Sequence, residues 1–228
     1  MEETAFIHTV FLLCEPSRAK IVWNLLDGRA YTASELALAA DLSTTAVSNH
    51  LAKLLQGNII KVAIQGRHRY YTFANSEVAY AVESLANLAN QKQPLKINKE
   101  ISKEDVKYCR TCYDHLAGKV GVLLTDKMVA LELLTLQGNH FILTEKGTTF
   151  FNDFGLPLAE LKKQKRQFAK ACLDWSERKY HISGSLGASL LNKMLARDWL
   201  RKTKNSRRVV ITSLGKKGLK DSFGIDLF

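Results

Sequence analysis

Cys109, Cys112 and His115 stand at i, i+3 and i+6, two thiols and an imidazole, with Asp114 beside the histidine. Cys172-x-Asp174 repeats the Cys112-x-Asp114 pattern sixty residues later, and His181 follows it. Thiol and imidazole ligands suit zinc or another thiophilic metal ion. They equally suit a redox switch or a small-molecule pocket. On a helix, neighbours three apart lie about 5–6 Å apart at Cβ, so adjacent members of the first set can share an ion, with Cys112 serving either pair. The competing reading is burial, since cysteines are common core residues. Cys14 is read as core on that ground.

The elements that must position these groups are duplicated. His-Leu-Ala-Gly-Lys-Val-Gly-Val-Leu-Leu-Thr-Asp-Lys-Met at 115–128 recurs as His-Ile-Ser-Gly-Ser-Leu-Gly-Ala-Ser-Leu-Leu-Asn-Lys-Met at 181–194. Downstream, Ile142-Leu-Thr-Glu-Lys-Gly147 matches Val210-Ile-Thr-Ser-Leu-Gly215, and Phe154-Gly-Leu156 matches Phe223-Gly-Ile225. Two copies are too few for a solenoid, so a pseudo-symmetric pair packed face to face is expected. Each copy is sketched as helix, helix, short hairpin, helix, a degenerate winged unit. The paired glycines of His-x-x-Gly-x-x-Gly are read as helical positions kept small for close packing, because glycine costs about 1 kcal/mol against alanine there, the alternative being that they mark a helix end. A pseudo-twofold axis would bring Cys109, Cys112, Asp114 and His115 together with Cys172, Asp174 and His181 in one pocket.

Composition narrows the class. The chain has 228 residues, 46% hydrophobic and 9% aromatic, enough for ordinary cores in one or two domains. It holds no apolar run long enough to span a membrane. Its acidic start, Met1-Glu2-Glu3, is unlike a signal peptide. Four cysteines are too few for a disulfide framework, so a cytoplasmic location is expected. Residues 1–92 carry eight Lys or Arg and eight Asp or Glu, so the whole net charge of +11 lies in the remainder. A basic domain of this kind attracts polyanions.

The first ninety residues read as a winged helix-turn-helix. Pro16 opens a helix whose apolar face is Ile21, Val22, Leu25 and Leu26. Thr32-Ala-Ser-Glu35 is a capping box. Asp41-Leu42-Ser43 is a tight turn, with Ser43 capping the next helix. On that helix Val47, His50, Leu51 and Leu54 point inward, while Thr44, Thr45, Ser48 and Asn49 point outward at its N-terminal end. Small hydroxyls and an amide there suit reading of base edges in a major groove. Ile59–Ile64 and Arg69–Phe73 form a hairpin around Gln65-Gly-Arg-His68, a wing that carries Arg67, His68 and Arg69 near its tip. A helix from Ser76 to Asn90, striped by Val78, Val82, Leu85 and Ala89, suits a dimer seam.

The segments Cys14-Glu-Pro-Ser-Arg18, Ile21–Leu26, Glu35-Leu-Ala37, Leu42-Ser-Thr-Thr-Ala-Val-Ser-Asn-His-Leu51 and Gly66-Arg-His-Arg-Tyr-Tyr71 together resemble the ArsR family of bacterial winged-helix regulators. The resemblance covers roughly residues 10 to 75. It implies homodimers on palindromic operators in double-stranded DNA, and repression relieved by a ligand. By position it implies base reading from Thr44, Thr45, Ser48 and Asn49, with His50 on the same helix and Arg67 and Arg69 on the wing. Two departures matter. The family's best-known cysteine motif would fall on Glu35–Asp41, which has no thiol, and a second site after the wing finds only Glu77 and Glu83. Sensing is therefore expected in the C-terminal half.

The fold expected is mainly α with small β-hairpins: a winged helix-turn-helix over 1–92, a linker over 93–102, and a duplicated domain over 103–228 with units near 103–160 and 165–228. The function expected is a sequence-specific DNA-binding regulator, a repressor released by a small-molecule or metal inducer, and not an enzyme. The alternatives are an architectural nucleic-acid-binding protein or a thiol-redox enzyme built on Cys109 and Cys112. The basic run Arg201–Arg208, in the wing position of the second copy, is either an accessory DNA contact or a solvated loop.

Overall fold

The computed structural model describes residues 3–91, 105–204 and 206–227. The linker expected over 93–102 lies outside them. The chain divides into two compact units, Met1–Ala86 and Asn87–Phe228.

In the first unit, α1 (Glu3–Cys14) and α2 (Pro16–Leu25) are separated by Glu15 alone. Glu15 caps α2, its carboxylate accepting from the Ser17 and Arg18 amides. The buried Arg18 then donates to the carbonyls of Leu12 and Phe11, which the end of α1 leaves without helical partners. Helix α1 precedes the first helix that the sequence pattern predicts, at Pro16; its apolar residues run all round it without one clear stripe. Cys14, expected in the core, is exposed at the end of α1.

Next come α3 (Ala33–Ala40) and α4 (Thr44–Gln56). Thr32 and Glu35 form the capping box at the start of α3. Asp41 then takes a left-handed conformation, φ 55°, to turn the chain into α4. Ser43 caps α4 by accepting from the Ala46 amide. Ile21, Val22, Leu25, Leu26, Leu36, Val47, Leu51 and Leu54 form the buried centre of this unit. The wing is β1 (Ile60–Gln65) paired antiparallel with β2 (His68–Phe73), the Gln65–His68 pair closing a two-residue turn. Gly66 occupies that turn at φ +59°, a conformation glycine adopts without penalty. Helix α5 (Ser76–Gln91) follows. It buries Ala79, Val82 and Ala86, while Leu85, expected on the same stripe, is exposed.

The second unit contains one element order twice. The first copy runs β3 (Arg110–Cys112), β4 (His115–Ala117), α6 (Gly118–Ala130), β5 (Leu134–Gln137), β6 (His140–Leu143) and α7 (Glu145–Asp153). A short helix, α8 (Leu158–Lys162), connects the copies. The second copy runs β7 (Ala171–Leu173), β8 (Tyr180–Ile182), α9 (Gly184–Ala196), β9 (Leu200–Lys202), β10 (Val209–Ile211) and α10 (Ser213–Phe223). Each copy is thus hairpin, helix, hairpin, helix. The helix expected around Cys109–His115 is instead a hairpin. The i, i+3 spacing of Cys112 and His115 fits both, because a two-residue turn also sets residues three apart opposite one another.

The copies are interleaved. Strand β3 is bridged to the β10 segment through Thr111 N–H to Arg207 O at 2.8 Å and Val209 N–H to Cys109 O at 2.9 Å. The segment leading into β7 bonds to β6 in the corresponding way, through Phe141 N–H to Ala169 O and Ala171 N–H to Asn139 O. Likewise α6 packs on β8 and α9 on β4. One hydrophobic core draws on both copies, with Val120, Leu124, Met128 and Phe151 beside Leu186, Leu190, Met194 and Phe223. Neither copy buries this surface alone, so the pair is the folding unit. Among the described residues, no helix is long and apolar enough to cross a membrane.

Candidate functional site

Two surfaces carry the residues singled out from the sequence. The first is the N-terminal end of α4. Thr44, Thr45, Ser48 and Asn49 are all exposed there, as are Arg67 and Arg69 on the wing. Ser48 also donates to the Thr44 carbonyl at 2.8 Å, which leaves its hydroxyl oxygen able to accept. His50 is different: it is half-buried, with Nδ1 3.5 Å from the Glu15 carboxylate. It therefore turns toward the start of α2, away from the exposed end of α4.

The second surface is inside the duplicated unit. Cys112 and His115 are cross-strand partners in the β3–β4 hairpin, and Cys172 and His181 are cross-strand partners in β7–β8. The hairpins bring the four side chains together, and one ligand atom of each lies within 4.8 Å of all the others. The two sulfurs are 3.8 Å apart, and the two Nε2 atoms 3.1 Å apart. Cys112, His115 and His181 are buried, and Cys172 is partly exposed.

A carboxylate stands beside the other nitrogen of each histidine. His115 Nδ1 lies 3.2 Å from Asp114 Oδ1, and His181 Nδ1 lies 3.3 Å from Asp174 Oδ2. The aspartates are held in turn by an arginine from the opposite copy. Arg166 bonds Asp114 through both terminal nitrogens, one at 2.5 Å. Arg110, fully buried, bonds Asp174 at 2.8 Å and stacks 4.4 Å over the Trp175 ring. Asp174 also accepts from the Gly118 amide at 2.7 Å and, within its own loop, from Ser176 and Glu177. Asp114 and Asp174 are thus positioning residues, one step back from the four donors.

These contacts set the charge states. Burial works against ionising Asp174, but His181 and Arg110 overcome it and hold the carboxyl far below the usual range. Asp114 is lowered in the same way by His115 and Arg166, against burial. Burial opposes protonation of His181, yet Asp174 and the Cys112 sulfur hold its pKa up at about 9. His115 is raised against burial by Cys112 and Asp114.

Cys109 does not join the cluster. It packs in the hydrophobic core with Leu116 and Val120, and burial pushes its thiol pKa up to about 12. Residues three apart on extended chain point to opposite faces, whereas on a helix they share one, so the change of local structure alone moves Cys109 away. The glycine motif also has another cause. Gly118 and Gly184 start α6 and α9 at φ +77° and +79°. A Cβ at Gly121 would sit 2.7 Å from the Leu116 carbonyl oxygen and 3.9 Å from His181 Cβ; at Gly187 it would sit 2.6 Å from Ile182 O and 3.4 Å from His115 Cβ. The glycines let each helix start against its own hairpin while the other copy's histidine stands above it. Arg110 and Arg166 are site residues that no sequence pattern marks as such. Arg110 stands two residues before Cys112, but the second copy has Lys170 at the matching place, so the repeat gave no signal.

Comparison with known proteins places these sites in context. Residues 15–62 match the model described as "Bacterial regulatory protein, arsR family". The chain is 40% identical over 205 residues to the "Uncharacterized HTH-type transcriptional regulator YdfF" of Bacillus subtilis (strain 168), covering 90% of this chain and 91% of that one. It is 33% identical over 88 residues to the HTH-type transcriptional regulator CmtR of Mycobacterium bovis, covering 39% of this chain and 74% of that protein. Among solved structures, HlyU from Vibrio cholerae N16961 is similar at 27% identity and a TM-score of 0.36, over 39% of this chain and 97% of its own. The alignment with the Bacillus protein is too long to be confined to the first unit.

Proposed function

The chain belongs to the ArsR family of winged helix-turn-helix transcriptional regulators, and from that premise we propose that it is a homodimeric repressor whose operator binding is released by a signal received at the Cys112–His115–Cys172–His181 centre. The DNA-reading residues of this proposal are Thr44, Thr45, Ser48 and Asn49, with Arg67 and Arg69 on the backbone or minor groove beside them. The observation that carries it is their common exposure around a capped helix end and the wing beside it in sequence.

A second copy of the chain is the partner that the exposed apolar residues of α1 and α5 call for. Phe6, Ile7 and Phe11 on α1, and Leu85 and Leu88 on α5, are each 45% exposed or more. A dimer doubles the half-sites and makes the operator a palindrome. Such a protein acts in the cytoplasm, with its DNA.

The receiving role of the second unit rests on its chemistry. The centre joins two thiols and two imidazoles, donors of the thiophilic class, in a fold whose two halves meet there. A redox enzyme built on Cys109 and Cys112 has no support, since the Cys109 thiol is held protonated in the core. Selection of bound fragments from random duplexes, followed by gel shifts with specific and scrambled competitor, tests the reading. A palindromic preference is expected; equal competition by scrambled duplex refutes it.

A further inference from the structure

The sulfur pair and the nitrogen pair of the duplicated unit are spaced as in a closed tetrahedral metal site. Zinc lies about 2.3 Å from a cysteine sulfur and about 2.0–2.1 Å from a histidine nitrogen. A regular tetrahedron has edges about 1.63 times the centre-to-vertex distance. Two sulfurs on one zinc therefore stand about 3.8 Å apart, and two nitrogens about 3.3–3.4 Å. The sulfurs here are 3.8 Å apart and the nitrogens 3.1 Å, so these two edges match a tetrahedron to within a few tenths of an ångström, and all four donors lie within 4.8 Å of one another.

The histidines are already turned for it. A carboxylate beside each Nδ1 favours keeping a proton on that nitrogen, so each ring that gives up its other proton turns an Nε2 lone pair inward. Two such lone pairs 3.1 Å apart repel unless a proton or a cation lies between them. The donor set sorts the cations: thiolate and imidazole disfavour magnesium and calcium, which require oxygen. Four protein donors fill a tetrahedron and leave no position for substrate, the arrangement of a structural site and not a catalytic one.

We propose that Cys112, His115, Cys172 and His181 bind one divalent ion of the zinc class, and that this ion is the clasp between the two copies. One cysteine and one histidine come from each copy, so the ion closes the pseudo-twofold centre and its loss frees the hairpins from each other. Cys172, partly exposed, marks the way in. Binding requires both sulfurs as thiolates and both Nε2 atoms unprotonated, so the thiol protons and any imidazolium proton at Nε2 leave to solvent, and all oxidation states stay unchanged. The proposal names the ligand of the receiving centre proposed above; the site can exist without the regulatory reading, and the test separates them.

The full chain, stripped of metal and kept reduced with a phosphine, is titrated with Co(II). We expect saturation at about one ion per chain, intense visible d–d bands of a tetrahedral site, a thiolate-to-cobalt charge-transfer band, and displacement of cobalt by zinc. Cys112→Ser with Cys172→Ser should abolish charge transfer, Cys172→Ser alone should reduce it, and Cys109→Ser should leave it intact. Circular dichroism confirms that each variant is folded, and the partly exposed Cys172 provides the variant that keeps the core whole. Absence of charge transfer in the folded, reduced chain overturns the site. So does its survival in the double variant, or a Cys112–Cys172 disulfide that persists under phosphine in place of metal uptake. Gel shifts with the selected operator, with and without the ion, separate the two readings. Uptake at these four residues with unchanged operator affinity sinks the receiver and keeps the site; specific DNA binding without uptake sinks the site and keeps the DNA-binding reading.

Discussion

His115 Nε2 and His181 Nε2 meet at 3.1 Å, although 66 residues separate them in the chain. They occupy the same position in the two copies of a duplicated unit. Each is aimed by its own aspartate, and each aspartate is held by an arginine of the other copy. Contact between equivalent residues is what a pseudo-twofold axis produces, and an ancestral pair of identical units would have had the same meeting point.

The Arg110–Asp174 pair is expected to be costly to break. Both side chains are at most 1% exposed, so Arg110→Met strands a carboxylate in the interior. Removing one partner of a buried ion pair costs about 3–5 kcal/mol. Arg201→Ala breaks a pair at 2.6 Å to Asp198 that is exposed, and should leave the melting temperature unchanged. Urea unfolding of both variants checks the contrast; equal losses would contradict it.

Gly121→Ala and Gly187→Ala should each destabilise the duplicated unit by about 1–3 kcal/mol, the usual range for overpacking. The cause is the Leu116 or Ile182 carbonyl within 2.7 Å of the new methyl. Because each substitution also presses toward the other copy's histidine, both should weaken Co(II) uptake more than they alter DNA binding. Thermal melts run beside the metal titration report the two effects separately.

Ser48→Ala and Asn49→Ala should each cost about 1–3 kcal/mol of specific DNA affinity and relax base preference. Arg67→Ala should weaken binding to all sequences alike and lower the slope of log K against log salt by about 0.9. Salt-dependent gel shifts with matched and scrambled duplexes measure both. Unchanged affinity in all three variants removes the groove assignment.

Thr32→Ala should cost about 1 kcal/mol by removing the cap of α3. The Thr32 amide and hydroxyl hold the Glu35 carboxyl below the usual range, so the variant should also return Glu35 toward it. A carboxyl lowered by folding contributes stability that is complete above its unfolded pKa, about 4.3, and lost as pH falls below it toward the folded value. NMR titration of Glu35 between pH 2 and 6, with pH-dependent melts, would show that stabilisation reduced in the variant, because the residue-32 amide still donates to Glu35.

Cys14 is exposed and should alkylate first with iodoacetamide in the native chain. Cys109, its thiol pushed up to about 12 by burial, should resist until the unit unfolds. Peptide mapping over time gives the order, and early labelling of Cys109 would contradict its placement in the core.

What the sequence determined alone was whatever short-range physics decides. Thr32 caps Glu35 three residues on, Ser43 caps α4, and Gly66 turns the wing, because each needs only neighbours within a turn of chain. Duplication was equally plain, since a copy is visible without a fold. The membership of the centre was not. The i, i+3 spacing of Cys112 and His115 fits a helix and a tight hairpin alike, and only the second sends Cys109 to the opposite face and into the core. That choice is made by packing: β3 is fastened to the β10 segment of the other copy, a contact nearly a hundred residues away that no local pattern encodes. The same interleaving delivers Arg110 to Asp174 and Arg166 to Asp114. Side chains that meet across a symmetry axis are set by the shape of the shared core, and a chain read in order contains no record of that shape.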